Sequence, residues 1–229
     1  MVYFLLSWCP ITSFLPHRPL LSNEKLTICY RGLEVWILKT LDTAEAERLR
    51  ALQIAIPGSP IHPNIVHFEL LEGSHLSSKT FMAMEMMPTT LEPMVCLRVP
   101  HVEQMWMELS RALEFLHSRG FAHMDIKPSN ICISSSQNFV LIDLGSIEKF
   151  GKRSASTEAY IPRDWTDRSA SAAHDWWMLG MVLAEKGCGA SPCVMGATAE
   201  SIRKMDLVDH LKVNLPSSVF SEWKAKLKL

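Results

Sequence analysis

The sequence predicts an α+β fold with two lobes, a small β-rich N-terminal lobe with one helix and a mainly helical C-terminal lobe. Roughly the first 90 residues read as strand, strand, helix, strand, strand. The stretch after Pro93 instead begins with a long amphipathic helix. A length of 229 residues suits one domain or two small lobes that share a cleft.

The composition is that of a globular protein, with 48% hydrophobic and 21% charged residues. Lys and Arg number 23 against 24 Asp and Glu, so the net charge of −1 offers no general attraction to nucleic acid or to anionic lipid. We therefore expect neither a nucleic-acid partner nor a membrane partner.

The six cysteines are scattered and lack the spacing of a zinc site. We expect reduced thiols and a cytoplasmic protein with access to the nucleus rather than a secreted one. Residues 1–24 are apolar, but Pro10, Pro16 and Pro19 interrupt them before they reach the length of a membrane span.

The N-terminal lobe is predicted to occupy residues 25–87. Residues 25–39 form a hairpin that turns at Arg31-Gly32, because two β-branched and aromatic runs flank this pair. A helix capped by Thr43 follows and ends before Pro57. Residues 65–71 and 80–87 are then predicted strands.

The C-terminal lobe is predicted to occupy residues 88–229. Apolar positions at helical spacing predict a core helix over 102–118, which Gly120 stops. Two short strands, 131–133 and 139–142, precede a loop over 145–171. A second apolar helix over 174–186 leads into a tail with one or two weaker helices.

The residues from His123 to Ile133 carry the most specific pattern in the chain. They place His123, Asp125, Lys127 and Asn130 before three apolar residues. This pattern resembles the catalytic loop of eukaryotic protein kinases of the serine/threonine type. The resemblance implies that Asp125 accepts the proton of a substrate hydroxyl, that Lys127 reaches the γ-phosphate of ATP, and that Asn130 binds Mg²⁺.

A second motif lies downstream, where the apolar run Val140-Leu141-Ile142 ends in Asp143-Leu144-Gly145. It resembles the Asp-Phe-Gly segment of the same family, with Leu144 in place of phenylalanine. Because a carboxylate suits a hard cation, the resemblance implies that Asp143 shares Mg²⁺ with Asn130.

Upstream, the run Val35 to Lys39 resembles the family's strand whose lysine pairs with the α- and β-phosphates. A carboxylate on the next helix must hold Lys39. Glu45 is the better candidate because Leu49 and Leu52 follow it on the same helical face, and Glu47 is the alternative. The resemblance also implies that the nucleotide is contacted by Ile37, Met84, Glu85, Met87 and Cys132.

Two further segments extend the resemblance over residues 25–186. The stretch from Ser156 to Asp164 is similar to the end of an activation segment, in which a threonine packs beside the catalytic aspartate and a proline–acid pair anchors the loop. His174-Asp175 is similar to the start of the central helix of the large lobe. There Asp175 is expected to cap the backbone of the catalytic loop, which is a structural role.

The chain also departs from the family pattern. Between residues 10 and 32 the only glycine is Gly32, so the glycine-rich loop that covers the phosphates is missing. Ile37 stands where the family has a small residue, and the C-terminal lobe is shortened after 187 relative to the family's helical subdomain. Met124 replaces the arginine that pairs with a phosphorylated activation loop in the family. We therefore expect that phosphorylation of this loop does not switch the activity.

These observations predict a serine/threonine protein kinase that uses ATP and Mg²⁺ and acts on protein substrates. The alternative is a pseudokinase, which would keep the fold and act as a binding or scaffolding module. A small-molecule phosphotransferase of the same fold is a third reading, against which Lys127-Pro128 and Asp175 argue, since both resemble protein kinases.

Overall fold

The computed structural model describes residues 15–16, 26–58, 61–72, 79–162, 165–187, 198–202, 204 and 206–228. The described residues divide into two compact units. The N-terminal unit extends to His62 and resumes over Val66–Met86, and the C-terminal unit comprises Pro63–Ile65 and the residues from Met87 onward. The domain boundaries given above stay a prediction.

In its described residues, the N-terminal unit contains an antiparallel sheet of five strands in the order β1-β2-β3-β5-β4. Its strands are β1 (Leu15–Pro16), β2 (Leu26–Arg31), β3 (Glu34–Leu41), β4 (Phe68–Leu71) and β5 (Thr80–Glu85). The hairpin of β2 and β3 turns through Gly32 and Leu33, one residue later than the predicted Arg31-Gly32, because Arg31 still pairs with Glu34. Gly32 has a φ of +63°, which glycine adopts at little cost.

The two faces of β3 carry different sets of side chains, because side chains alternate along a strand. Trp36 packs in a buried cluster with Cys29 and Ala83, and Leu38 packs against it. Ile37 and Lys39 project from the opposite face. The core of the sheet therefore fixes which face carries Lys39.

Helix α1 (Thr43–Ala55) follows β3 directly. Its N-cap is Asp42 rather than the predicted Thr43. The Asp42 carboxylate accepts from the backbone N–H of Glu45 at 2.8 Å, and the Glu45 carboxylate accepts from the N–H of Asp42 at 3.1 Å. This reciprocal capping box fixes the first turn of α1, and Glu45 with it.

Among its described residues, the C-terminal unit contains α2 (Val99–His117), the central α3 (Ala172–Lys186) and three short helices, α4 (Ala199–Ile202), α5 (Leu207–Asn214) and α6 (Ser217–Leu227). Two small sheets accompany them, β6-β8-β9 and β7-β10. Their strands are β6 (Thr89–Thr90), β7 (Phe121–Ala122), β8 (Ile131–Ile133), β9 (Phe139–Leu141) and β10 (Glu148–Lys149).

The predicted α+β class is confirmed, with a β-sheet N-terminal region and a helical C-terminal region. Differences lie at element ends. The strand predicted over 65–71 begins at Phe68, because Ile65 bridges to Leu141 of β9 instead. The strand predicted over 80–87 ends at Glu85. The described part of the tail holds three helices rather than one or two.

The thiols differ from expectation at one position. Cys29 and Cys132 are free and buried, as expected for reduced thiols. Cys96 is disulfide-bonded, so the expectation is wrong for this residue.

The tail packs on α3 through a tight contact between Gly180 and the fully buried Trp223. The indole Nε1 of Trp223 donates to the carbonyl of Trp176 at 2.8 Å. A Cβ at Gly180 would lie 2.6 Å from that same Nε1 and 2.8 Å from Cζ2. Both helices therefore depend on the absence of a side chain at residue 180.

We expect Gly180→Ala to destabilise the protein by about 1–3 kcal/mol, the usual cost of overpacking a filled core. Urea denaturation measures this change. The double variant with Trp223→Phe should lose less stability than the sum of the two single variants, because the smaller ring leaves room for the methyl group. Simple additivity would contradict the contact.

Candidate active site

The segment after β7 is held in place by Asp175, which is fully buried in the first turn of α3. Its two carboxylate oxygens accept from the backbone N–H groups of His123 and Met124 at 2.8 and 2.9 Å. The Nε2 atom of His117 lies 2.8 Å from one of the same oxygens. The predicted capping role of Asp175 is confirmed.

Met124 adopts a φ of +66°, which is unfavourable for a residue with a side chain. Its side chain is buried in a small cluster with Ala122 and Ala170. Apolar packing and the bond to Asp175 together offset the backbone strain. The next residue, Asp125, thereby receives a fixed position.

The carboxylate of Asp125 is the centre of the site and accepts four hydrogen bonds. Thr157 donates its hydroxyl at 2.6 Å and its backbone N–H at 3.2 Å to Oδ1. Lys127 Nζ and Asn130 Nδ2 donate to Oδ2 at 2.8 and 2.9 Å. Lys127 Nζ also donates to the Thr157 hydroxyl at 2.8 Å, which closes the network.

The surroundings of Asp125 keep it ionised. Burial by itself would raise its pKa, but the hydrogen bonds from Lys127 and Thr157 and the charge of Lys127 outweigh burial and lower the pKa below the usual 3.8. At neutral pH the group is therefore a carboxylate, which is the form that can accept a proton.

Asn130 lies next to the strand that leads to Asp143. The backbone N–H of Ile142 donates to the Asn130 carbonyl at 2.9 Å, directly beyond the β8–β9 ladder. The Nδ2 atom of Asn130 donates to the backbone carbonyl of Asp125 at 2.8 Å and also to the Asp125 carboxylate. The amide orientation is thus set, and Oδ1 is its remaining acceptor.

Asp143 has a φ of +53°, a second strained position in a residue with a side chain. Its Oδ1 accepts from the N–H of Gly145 at 3.3 Å. A carboxylate and an amide oxygen, carried by neighbouring backbone positions, are hard ligands of the kind that Mg²⁺ prefers. The residues present therefore fit a magnesium ion.

In the N-terminal unit, Lys39 is paired with Glu45 rather than with the alternative, Glu47. Lys39 Nζ lies 3.0 Å from Glu45 Oε1, and each side chain is only 13% exposed. Glu47 is exposed. The capping box explains the choice, because it turns the Glu45 side chain toward the start of α1 and the end of β3.

For the ATP-dependent transfer that the sequence predicts, we expect Glu45→Gln to lower kcat/KM for ATP about tenfold, since misplacing a positioning charge by 1 Å can cost on the order of 10²-fold and glutamine preserves the capping box. Steady-state kinetics with varied ATP measures the change. Glu47→Gln is the matched control on the same helix, and a loss of similar size in that variant would contradict the assignment.

The other residues predicted to contact the nucleotide occupy several environments. Ile37 is paired with Met84 across β3 and β5, on the sheet face that carries Lys39. Glu85 is exposed and Met87 partly buried. Cys132 is buried in β8, and burial raises its pKa to about 11, so the thiol is neutral at physiological pH. Their contacts with a nucleotide stay a prediction.

The protein kinase domain family matches residues 34–228. The chain belongs to this family. The kinase domain is similar to the serine/threonine-protein kinase ssp1 of Schizosaccharomyces pombe, with 27% identity over 199 residues, which cover 77% of this chain and 30% of that protein.

Two further relatives match the kinase domain over shorter stretches. The serine/threonine-protein kinase AtPK1/AtPK6 of Arabidopsis thaliana is 30% identical over 127 residues, 53% of this chain and 26% of that protein. The 3-phosphoinositide-dependent protein kinase B of Dictyostelium discoideum is 34% identical over 108 residues, 42% of this chain and 12% of that protein. The matched parts thus amount to less than a third of each relative's length.

Within the described part of this kinase domain, no helix has both the length and the apolar character that a membrane crossing requires.

Some contacts of the site had no signal in the sequence. His117 lies 58 residues before Asp175, at the end of α2, and nothing in its neighbours marks it as a partner of that carboxylate. Thr157 was expected beside Asp125 only through the family resemblance. Its two hydrogen bonds to Oδ1 depend on the path of the chain between residues 143 and 157.

Proposed function

We propose that this chain is an ATP-dependent protein kinase that transfers the γ-phosphate to serine or threonine hydroxyls of protein substrates. The observation that carries the proposal is the ionised carboxylate of Asp125, surrounded by Lys127, Asn130 and Thr157. Phosphoryl transfer requires an oriented hydroxyl and compensated phosphate charge more than covalent work by the protein. This cluster offers both.

Asp125 acts as the base. The oxygen of the substrate hydroxyl attacks the γ-phosphorus, the bond from that phosphorus to the bridging oxygen breaks, and ADP leaves. The hydroxyl proton passes to the Asp125 carboxylate. Lys127, whose Nζ already lies 2.8 Å from Asp125, compensates negative charge on the transferred group.

Two further groups bind the triphosphate. Lys39, held by Glu45, binds the α- and β-phosphates. Asn130 and Asp143 hold Mg²⁺, which supplies charge neutralisation of the phosphate oxygens when it is bound. The pairing of Lys39 with an acid and the fixed amide of Asn130 support these assignments.

The pH dependence of the reaction follows from the contacts of Asp125. Because its pKa is lowered, the base stays ionised as the pH falls to the ordinary range of a carboxyl group. Lys127→Met removes the charge and the hydrogen bond and leaves the burial, so the pKa of Asp125 should rise. We expect the acid limb of kcat/KM against pH to move to higher pH in this variant, beside a loss of rate.

The control for this profile is Lys212→Met, a change at an exposed lysine of α5. Its acid limb should coincide with that of the unchanged protein. An acid limb of Lys127→Met that stays in place, or that moves to lower pH, would contradict the role of Lys127 in setting the pKa of Asp125.

The proposal is tested by incubating the protein with ATP, Mg²⁺ and casein and by locating phosphate through mass spectrometry. We expect phosphoserine and phosphothreonine on casein and no phosphotyrosine. Lys39→Met should abolish the product. Phosphate incorporation that is equal with and without an intact Lys39 would reject the proposal.

A second candidate function, a pseudokinase that binds partners without phosphoryl transfer, is favoured by one feature of the sequence. Between residues 10 and 32, where the glycine-rich loop is expected, the only glycine of the sequence is Gly32, and it lies in the β2–β3 turn. Thermal unfolding separates the candidates, since a ligand at 100 times its Kd stabilises the native state by about 2.7 kcal/mol. A protein that shows no shift with millimolar ATP and Mg²⁺ and no phosphorylated casein would be a pseudokinase.

A further inference from the structure

A cavity of about 350 Å³ lies within the C-terminal unit, and its described lining shares no residue with the candidate catalytic set. Apolar side chains of Met94, Leu97, Ile133 and Phe139 form much of it. Leu97, Ile133 and Phe139 are buried. This volume falls in the range of ligand-binding pockets rather than of packing defects.

One wall of the cavity is anchored by Lys186, a lysine with 7% exposure. Its Nζ donates to the backbone carbonyls of Glu92 and Met94, both at 3.0 Å, and its own carbonyl accepts from the N–H of Leu97 at 2.7 Å. Burying an ammonium group is costly unless it is fully bonded. The chain from Glu92 to Leu97 is therefore held in one conformation.

A second wall of the cavity, formed by α2, is joined to the β8–β9 hairpin by side chains of that helix. Gln104 Nε2 donates to the carbonyl of Gln137 at 2.9 Å. Glu108 accepts the backbone N–H of Phe139 at 2.6 Å. Both walls are thus fixed before any ligand arrives, which reduces the entropic cost of binding.

The rim of the cavity is basic. Arg98 and His101, both exposed, line it, and its described lining includes no carboxylate. Arg98 is also the N-cap residue of α2, and its side chain makes no capping hydrogen bond. The helix has 19 residues, and its first turn carries no acidic residue. The positive end of the helix and the Arg98 guanidinium therefore reinforce one another.

Apolar surface continues outside the cavity. Val95 is 63% exposed and Val99 is 36% exposed, and both are chain neighbours of residues that line the cavity. An occupant that covers these valines is longer than the cavity itself. An extended peptide has this length, whereas a small metabolite would fill only the cavity.

We propose that this cavity and its rim bind a peptide segment of a partner protein in which acidic side chains alternate with leucine or another aliphatic residue. The aliphatic side chains enter the apolar part between Leu97 and Phe139. The carboxylates pair with Arg98 and His101. The site is separate from the proposed phosphoryl transfer and does not depend on it.

Fluorescence anisotropy tests the proposal with the full chain and no nucleotide. The probes are three labelled peptides of equal length that alternate Glu with Leu, Lys with Leu, and Glu with Ser. We expect the Glu-Leu peptide to bind and the other two to bind at least about tenfold more weakly, because each lacks one of the two complementary features.

The decisive variant is Arg98→Glu, and the matched control is Arg111→Glu, a reversal at an exposed arginine on the same helix. Arg98→Glu should weaken the Glu-Leu peptide about tenfold, while Arg111→Glu should leave its Kd unchanged. Thermal unfolding of both variants confirms that each is folded.

Three results would overturn the proposal. They are no binding of the Glu-Leu peptide, equal binding of the Lys-Leu or Glu-Ser peptide, and equal losses in the two charge-reversal variants. A protein that binds the Glu-Leu peptide as expected and phosphorylates nothing would leave this inference standing and reject only the proposed kinase activity.

Discussion

Asp125→Asn should lower kcat for phosphorylation of a protein substrate on the order of 10³-fold, which corresponds to about 4 kcal/mol of transition-state stabilisation. The amide cannot take up the hydroxyl proton. Its NH₂ group is a donor, so it would face the donor groups of Lys127 or Thr157 in the place of a carboxylate oxygen that accepts from them. A radiolabelled ATP assay at saturating substrate measures the change.

The control for this loss is Asp209→Asn, because Asp209 is an exposed aspartate in the first turn of α5. That variant should retain the kcat of the unchanged protein. Circular dichroism should show the same helical signal for both variants, so that loss of fold is separated from loss of chemistry. Equal turnover by Asp125→Asn and the unchanged protein would remove Asp125 from the reaction.

Asp175→Ala should cost about 3–5 kcal/mol of stability, a large part of the 5–15 kcal/mol typical of a folded domain. The substitution leaves the buried backbone N–H groups of His123 and Met124 without acceptors, and each such group costs about 1–3 kcal/mol. His117 loses its carboxylate partner as well. Urea denaturation measures the loss as a lower midpoint with an unchanged slope.

Asp206→Ala is the matched comparison, since Asp206 is also an aspartate that accepts two backbone N–H groups, those of Val208 and Asp209, but on the exposed start of α5. It should cost only about 1 kcal/mol, the usual value of an N-cap. If the two variants lost the same stability, burial of Asp175 would not be the source of its effect.

The local elements could be predicted from the sequence because they depend on near neighbours. The alternation in β2 and β3, the turn at Gly32 and the apolar spacing of α2 are each determined within a few residues. Element ends were less accurate. Asp42 rather than Thr43 is the N-cap, and the spacing marks it, because Glu45 lies three residues after Asp42 as a capping box requires, whereas Ala46 lies three after Thr43.

In the candidate site, too, some features follow from near neighbours in the sequence and others depend on the fold. The spacing of Asp125, Lys127 and Asn130 is a local property, and their mutual hydrogen bonds follow from it. The choice of Glu45 over Glu47 needed the actual rotation of α1 relative to β3. Periodicity favoured Glu45, but both acids are near the start of the helix.

The sequence by itself determined the α+β class, the family resemblance and the set of polar residues proposed for phosphoryl transfer. Only the tertiary structure decided which N–H groups Asp175 caps, those of His123 and Met124, that His117 contacts the same carboxylate, and that a cavity with a basic rim lies beside α2. The physical reason is the range of the interactions. Periodicity and motif spacing act along a few turns of chain, whereas a buried carboxylate is satisfied by groups more than 50 residues away, which packing of the whole unit brings together.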